Sequence, residues 1–179
     1  MSPRTAIDAE GAWFEPDRIA ELRRHLPIPY IDVVPVRTDV DGTVAQVGLL
    51  LRASGTGRIV RTIVSGRVLI HETLREAIAR HIDKDLGSMA LPRIPASPVP
   101  FTVAEYFPTP GQSLFTDPRQ HAISLAYLVP VDGEASPQED ALELNWYDVS
   151  ELLESGVMDE LEGGHDIVVR RALAHAGVI

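Results

Sequence analysis

The chain has 179 residues, no cysteine and a formal net charge of −10 at pH 7, and 45% of its residues are hydrophobic. This length and hydrophobic content suit one domain with a buried core, and the lack of cysteine excludes disulfides, thiolate metal ligands and thiol nucleophiles. The strong negative charge argues against nucleic acid as the main partner.

The N-terminal part is predicted to contain one helix followed by three strands. Pro16 suits a first helical turn, and the apolar residues after it predict a short amphipathic helix that ends by Pro27. We interpret residues 1–29 as an N-terminal helical extension, whose apolar face is a candidate contact in a homodimer, and residues 30–179 as one domain. The period of two along the chain predicts strands at residues 30–37, 44–52 and 58–64.

A second helix is predicted between Thr73 and Gly87, because Thr73 and Glu76 have the spacing of a capping box and Gly87 suits a C-cap. At about 100° per residue one face of this helix is apolar, and it comprises Leu74, Ala77, Ile78, Ile82 and Leu86. His81 and Asp85 fall on the same face, where a carboxylate needs compensation. The spacing leaves two explanations open, which are a hydrogen bond between His81 and Asp85 across one turn and a hard divalent cation such as Mg²⁺ bound by Asp85.

The rest of the chain alternates between strands and helices. Four prolines in residues 91–100 predict an extended connector. Periodicity then predicts strands at residues 101–107, 121–131 and 142–146, and helices at residues 148–154 and 165–176. The complete pattern is typical of a mixed α/β (α+β) fold.

Residues 66–87 have a spacing that goes beyond helix formation. A glycine is followed after five residues by a glutamate and after seven more by an arginine, and the helix ends at a glycine. The pattern resembles the Nudix box, the signature of the Nudix hydrolase superfamily. The matching residues are Gly66, Glu72, Arg80, Ile82 and Gly87. This resemblance implies a Nudix-type α/β/α sandwich with a central mixed sheet.

The catalytic glutamates of the box are replaced in this chain. His81 and Lys84 stand at two of their positions, and Asp85 stands at the third. The GDP-mannose mannosyl hydrolase branch of the superfamily has lost glutamates at the same places. Residues 65–68 and 72–74 of this chain also resemble the box of that branch. The degenerate box therefore resembles this branch more closely than it resembles the general Nudix pattern.

The resemblance implies a site for one divalent cation, Mg²⁺ or Mn²⁺. Its ligands would be the carboxylate of Asp85, the carbonyl oxygen of Gly66 and the side chain of Asp140. Glu72 would orient the loop before the helix by pairing with Arg80.

Arginines dominate the region that precedes and includes the predicted helix. Residues 52–80 contain six arginines, two glutamates and no lysine, and the guanidinium fork suits bidentate binding of phosphate. Three of these arginines align with those that the mannosyl hydrolase branch uses around the nucleotide and the leaving group. They are Arg52, Arg67 and Arg80.

A general base is needed if water attacks the substrate. The base of the mannosyl hydrolase branch is a histidine five residues before Trp146, where this chain has Ala141. The candidates are Asp140, Glu143 and His121, and we select Glu143, two residues from the vacant position.

Two functions follow from the sequence. The first is a hydrolase that acts on a nucleoside diphosphate-linked small molecule, in particular a nucleotide sugar, by attack on the sugar carbon. The alternative is a degenerate Nudix fold that binds a nucleotide or nucleotide sugar as a sensor or interaction module. Ordinary Nudix pyrophosphatase chemistry, in which several metal ions assist attack at phosphorus, is disfavoured because the glutamate ligands of the box are replaced. No apolar run approaches the roughly 18 residues of a membrane span, and the start lacks the layout of a signal peptide. We therefore expect a cytoplasmic protein with no membrane partner.

Overall fold

The computed structural model describes residues 15–54, 57–138 and 141–179. Asp140, one of the predicted metal ligands, lies outside the described residues. Within these ranges the α-helices are α1 (Pro16–His25), α2 (Leu74–Leu86), α3 (Val149–Glu154) and α4 (His165–His175). The strands are β1 (Ile28–Thr38), β2 (Val44–Ala53), β3 (Ile59–Thr62), β4 (Val64–Arg67), β5 (Thr102–Phe107), β6 (Phe115–Thr116), β7 (Ala122–Pro130) and β8 (Ala141–Asp148).

Strand β1 is the centre of the mixed sheet. It pairs with β7 in parallel, and on its other edge it pairs antiparallel first with β4 and then with β2. The main path through the sheet is β3-β2-β1-β7-β5-β6, with β4 beside β1 and β8 beside β2. This arrangement confirms the predicted mixed sheet.

The two faces of the sheet carry separate cores. Ile31 and Val33 of β1 pack with the apolar residues of α2, whereas Val34 and Val36 pack with residues of α3 and α4. This division follows from the period of two in a strand, which sends alternate side chains to opposite faces. The fold is therefore the predicted α/β/α sandwich.

Helix α2 begins and ends where the sequence predicts. The Thr73 hydroxyl accepts a hydrogen bond from the Glu76 backbone N–H at 3.2 Å, and the Glu76 carboxylate accepts one from the Thr73 N–H at 2.8 Å. Gly87 closes the helix with a φ of 83°, which favours glycine. The buried residues of α2 are Ala77, Ile78, His81, Ile82, Asp85 and Leu86. Both polar residues are thus buried with the apolar face.

The prediction of one strand at residues 58–64 was wrong in one respect, because the structure divides this region into β3 and β4. Strand β3 pairs with β2 and β4 pairs with β1, so the chain crosses from one neighbour to the other at Ile63. This residue is 1% exposed and packs in the core. Periodicity alone does not reveal such a change of pairing partner.

Helix α1 precedes the sheet and has no buried residue within the described part of the chain. Its predicted role as a dimer contact stays a prediction, as does the division of the chain at residue 30. No helix among the described residues is long and apolar enough to cross a membrane.

Candidate functional site

Glu72 fixes the loop that leads into α2. Its Oε1 accepts a hydrogen bond from Arg80 Nε at 2.6 Å, and its Oε2 accepts bonds from Arg80 Nη2 at 2.8 Å and from the Leu69 backbone N–H at 2.9 Å. Burial raises the pKa of Glu72, but the bonds from Arg80 and Leu69 outweigh it, so the pKa lies below its usual value. The pairing of Glu72 with Arg80 that the sequence suggested is present.

Asp85 is compensated by an arginine from the sheet. Its side chain is 0% exposed, and its Oδ1 lies 2.7 Å from Arg52 Nη2 and 3.1 Å from Lys84 Nζ. The other oxygen, Oδ2, is buried and accepts no hydrogen bond from the described residues. The ion pair with Arg52 explains how a carboxylate is accommodated on the buried face of α2.

His81 packs against β4 instead of bonding to Asp85. Its Nε2 lies 3.0 Å from the carbonyl oxygen of Arg67, and a Cβ atom on Gly66 would overlap its ring. Burial lowers the pKa of His81, so the neutral ring donates from Nε2 to that carbonyl. The hypothesis of a hydrogen bond between His81 and Asp85 was therefore wrong, because the ring is directed to the strand.

The side chain of Arg67 points to the other face of the sheet. Val64 packs in the core below α2, and Ser65 donates a hydrogen bond to Asp32 Oδ1 at 2.7 Å. Because side chains alternate along β4, Gly66 faces α2 and Arg67 lies on the same face as Ser65. The backbone carbonyl of Arg67, at the end of β4, nevertheless accepts hydrogen bonds from α2.

The three predicted arginines therefore have different surroundings. Arg52 forms an ion pair with Asp85, and Arg80 binds Glu72 and also donates to the Arg67 carbonyl at 2.9 Å. Burial is the main cause that lowers the pKa of Arg67, and the charge of Arg80 contributes. The structure thus brings Arg67 and Arg80 near each other, but the Arg67 side chain lies on the face of the sheet opposite to that of Arg52, so it does not bring all three guanidinium groups to one diphosphate.

The predicted base Glu143 is exposed and stands opposite Leu51 in the pairing of β8 with β2. Its neighbour Leu144 packs in the core on the α2 side, so the alternation of β8 places Glu143 on the other face. The structure does not bring Glu143 to Asp85, and its role as base stays a prediction. The alternative candidate His121 precedes β7 and stacks on Phe107, with ring centroids 4.4 Å apart.

Comparison with known proteins assigns the family. A family model described as a domain of unknown function, DUF4916, matches residues 9–178. The chain belongs to the DUF4916 family. A comparison with curated protein sequences found no match.

Several solved structures are similar to this DUF4916 chain. A crystal structure from Jonesia denitrificans, described as a possible asymmetric diadenosine tetraphosphate hydrolase, is 57% identical, with 86% of this chain and 96% of that chain covered and a TM-score of 0.82. The Nudix domain of Shewanella oneidensis NrtR, crystallised with ADP-ribose, is 13% identical, with 90% and 93% covered and a TM-score of 0.61.

A bifunctional NMN adenylyltransferase/ADP-ribose pyrophosphatase from Francisella tularensis, crystallised with AMP and a manganese ion, is 15% identical to this DUF4916 chain. The alignment covers 90% of this chain and 47% of that one, with a TM-score of 0.61. The DUF4916 chain thus has the fold of Nudix hydrolases, which is the fold that the resemblance to the box implied.

The described residues of this DUF4916 chain do not fit a resident divalent cation. Residues 15–54, 57–138 and 141–179 contain no group of three or more histidine, aspartate or glutamate side chains that would hold a metal. Asp85 supplies one carboxylate, and that carboxylate already contacts the cationic groups of Arg52 and Lys84. The predicted set of Asp85, Asp140 and the Gly66 carbonyl is described only in part.

A second buried carboxylate was not predicted from the sequence. Asp32 in β1 is 1% exposed and accepts hydrogen bonds from Ser65 Oγ at 2.7 Å and Tyr106 Oη at 2.8 Å. Burial and the charge of Asp32 raise the pKa of Tyr106. The available signal was an aspartate in the middle of an apolar strand. This group lies on the face of the sheet opposite α2.

Proposed function

We propose that this protein hydrolyses a nucleoside diphosphate-linked small molecule, with nucleotide sugars as the substrate class. The observation that carries the proposal is the fixed loop before α2, in which Glu72 is held by Arg80 and by the Leu69 N–H. A loop that is fixed before the substrate arrives loses little entropy on binding and keeps its groups in a reactive geometry.

The relatives support this substrate class. One is described as a possible diadenosine tetraphosphate hydrolase, and another was crystallised with ADP-ribose. Both of these ligands contain a nucleoside joined through phosphates to a second group, and ADP-ribose is a nucleoside diphosphate carrying a sugar. The GDP-mannose mannosyl hydrolase-like branch is the more specific form of this proposal.

Cationic side chains around the loop suit a diphosphate leaving group. Arg67 and Arg80 lie near each other at the end of β4, and Arg52 lies on β2 beside Asp85. Guanidinium groups stabilise the negative charge that develops on a departing phosphate. Alanine substitution of Arg67 or Arg80 should weaken binding of a nucleoside diphosphate by about 1.5–3 kcal/mol, as expected for hydrogen bonds to charged groups. An equal loss in Arg52→Ala would indicate that this third arginine also contacts the diphosphate.

We propose that the predicted Mg²⁺ or Mn²⁺ is bound mainly by the phosphates of the substrate. Magnesium in nucleotide sites keeps several waters and is bound through one or two carboxylates together with substrate phosphates. A nucleotide that arrives as its magnesium complex would bring most of the ligands with it. This form of the proposal requires no complete metal site in the free protein.

The test is a panel of nucleoside diphosphate sugars, ADP-ribose and dinucleoside polyphosphates, each assayed with Mg²⁺, with Mn²⁺ and with a chelator. Released sugar, sugar phosphate and nucleotide are measured separately. We expect free sugar and a nucleoside diphosphate, with oxygen from ¹⁸O-labelled water in the sugar. Label in a phosphate product would contradict attack on carbon.

The base is tested by Glu143→Gln, which keeps the shape of the side chain and removes its basicity. If Glu143 is the general base, turnover should fall by about 10²–10⁴ while binding is unchanged. Glu105→Gln, an exposed glutamate of β5, is the matched control. Wild-type turnover by the Glu143 variant would exclude this residue as the base and favour the alternatives.

A second candidate function is a nucleotide-binding module without hydrolysis. The contact of Asp85 with Arg52 and Lys84 favours it, because a carboxylate in an ion pair is less available to a catalytic cation. Tight binding of a nucleotide sugar in calorimetry, without turnover of any member of the panel, would support this candidate against the hydrolase.

A further inference from the structure

We infer that the box of the free protein is a metal-free site in which Arg52 and Lys84 take the place of a divalent cation beside Asp85. The inference concerns the resting state of the site and does not depend on whether the protein is a hydrolase or a binding module.

Helix α2 carries less negative charge than the box pattern that it resembles. Positions 81, 84 and 85 carry a histidine, a lysine and an aspartate, in place of three glutamates in the pattern that the segment resembles. Two negative charges are therefore lost and one positive charge is gained. A hard divalent cation prefers carboxylate oxygens, and this helix face supplies only one carboxylate group.

The carboxylate of Asp85 is already surrounded by positive charge. Arg52 Nη2 at 2.7 Å and Lys84 Nζ at 3.1 Å both contact Oδ1 of Asp85. The Asp85 side chain is fully buried and that of Arg52 is 16% exposed, so their attraction is weakly screened by water. A dication that binds Asp85 must either displace this pair or approach two positive charges at short range.

The space between α2 and β4 is filled by the His81 ring. The His81 ring lies against Gly66 so closely that a Cβ atom there would overlap it, and its Nε2 is hydrogen-bonded to the Arg67 carbonyl. Protein atoms therefore fill the region beside the glycine whose carbonyl was predicted as a ligand. The close approach of the ring is by itself enough to explain why position 66 is a glycine.

The experiment is a titration of the full-length protein with Mn²⁺, with free Mn²⁺ followed by electron paramagnetic resonance. We expect no stoichiometric site at concentrations up to about 1 mM, a range typical of weak extracellular cation sites. We expect Asp85→Asn to leave the titration unchanged. One equivalent of Mn²⁺ bound by the wild-type protein and lost in Asp85→Asn would overturn the inference.

A second experiment uses a variant that should gain Mn²⁺ binding. Lys84→Glu replaces the ammonium group by a carboxylate on a side chain that is 31% exposed, so the fold should tolerate it. We expect Mn²⁺ to bind this variant at least tenfold more tightly than the wild-type protein. Lys84→Gln, which removes the charge without adding a ligand, is the matched control and should gain less. A folded Lys84→Glu variant that gains no Mn²⁺ binding would overturn the inference.

Discussion

Replacing Gly66 by alanine tests the packing on which the site depends. The backbone of Gly66 is part of β4, opposite Ile31 of β1, so the strand pairing resists displacement of the new methyl group. That methyl group would overlap the His81 ring, which is 5% exposed and hydrogen-bonded to the Arg67 carbonyl. The ring must therefore move and lose this hydrogen bond.

The expected cost comes from two contributions. Overpacking of a closed core costs about 1–3 kcal/mol, and the lost hydrogen bond adds about 0.5–1.5 kcal/mol. Together they give a loss of about 1.5–4.5 kcal/mol, and each kcal/mol corresponds to a fall in Tm of about 2–4 °C for a chain of this size. Urea unfolding monitored by circular dichroism measures the free energy directly, and calorimetry measures Tm.

A double-mutant cycle shows whether the cost arises from His81. In the His81→Ala background the methyl group on Gly66 enters the space that the ring has left, so its cost should shrink by at least about 1 kcal/mol, within the usual range for residues in contact. Gly48→Ala combined with His81→Ala is the control, because a Cβ atom at Gly48 meets Trp146 instead and the two effects should add. Additive costs for Gly66→Ala and His81→Ala would refute the packing argument.

Two further predictions concern the Glu72–Arg80 pair and the buried histidines. Arg80→Ala leaves the Glu72 carboxylate without its bidentate partner, so the free energy of unfolding in urea should fall by about 1.5–3 kcal/mol; a variant as stable as the wild type would contradict the role of the pair. Burial lowers the pKa of both His81 and His165, so the native state binds fewer protons than the unfolded chain does. The stabilising contribution of these neutral rings is therefore complete above the unfolded-state pKa of about 6.5, and it is lost as the pH falls towards the lower pKa values of the folded state. Urea titrations at pH 7.5, 6.5 and 5.5 should show decreasing stability, with a smaller decrease in His165→Gln, and equal stability at all three pH values would be inconsistent with this assignment.

The local structure of α2 was predictable because its determinants are close in sequence. The capping bonds join Thr73 to Glu76, three residues away, and Gly87 ends the helix by its own backbone conformation. The buried face follows from the helical period. No knowledge of the sheet was needed for any of these features.

The partners of the buried polar groups depend on the sheet and were not predictable. Asp85 binds Arg52 from β2, and the sequence contains several other arginines that were equally eligible. His81 faces Gly66 because β4 lies beside α2, whereas the helical period indicated only that it was buried. Glu143 was selected by its distance in sequence from an aligned position, which does not determine the face of β8 that it occupies.

One carbonyl oxygen has a consequence for the motions of the loop. The Arg67 carbonyl accepts hydrogen bonds from Arg80 Nη2 at 2.9 Å and from His81 Nε2 at 3.0 Å, two consecutive residues of α2. The chain from Arg67 to His81 is thereby closed into a ring, with the Leu69 amide tied to Glu72 inside it. Since the ring opens only when both bonds break, its loop and the adjoining turns of α2 should exchange their amide hydrogens as one cooperative unit.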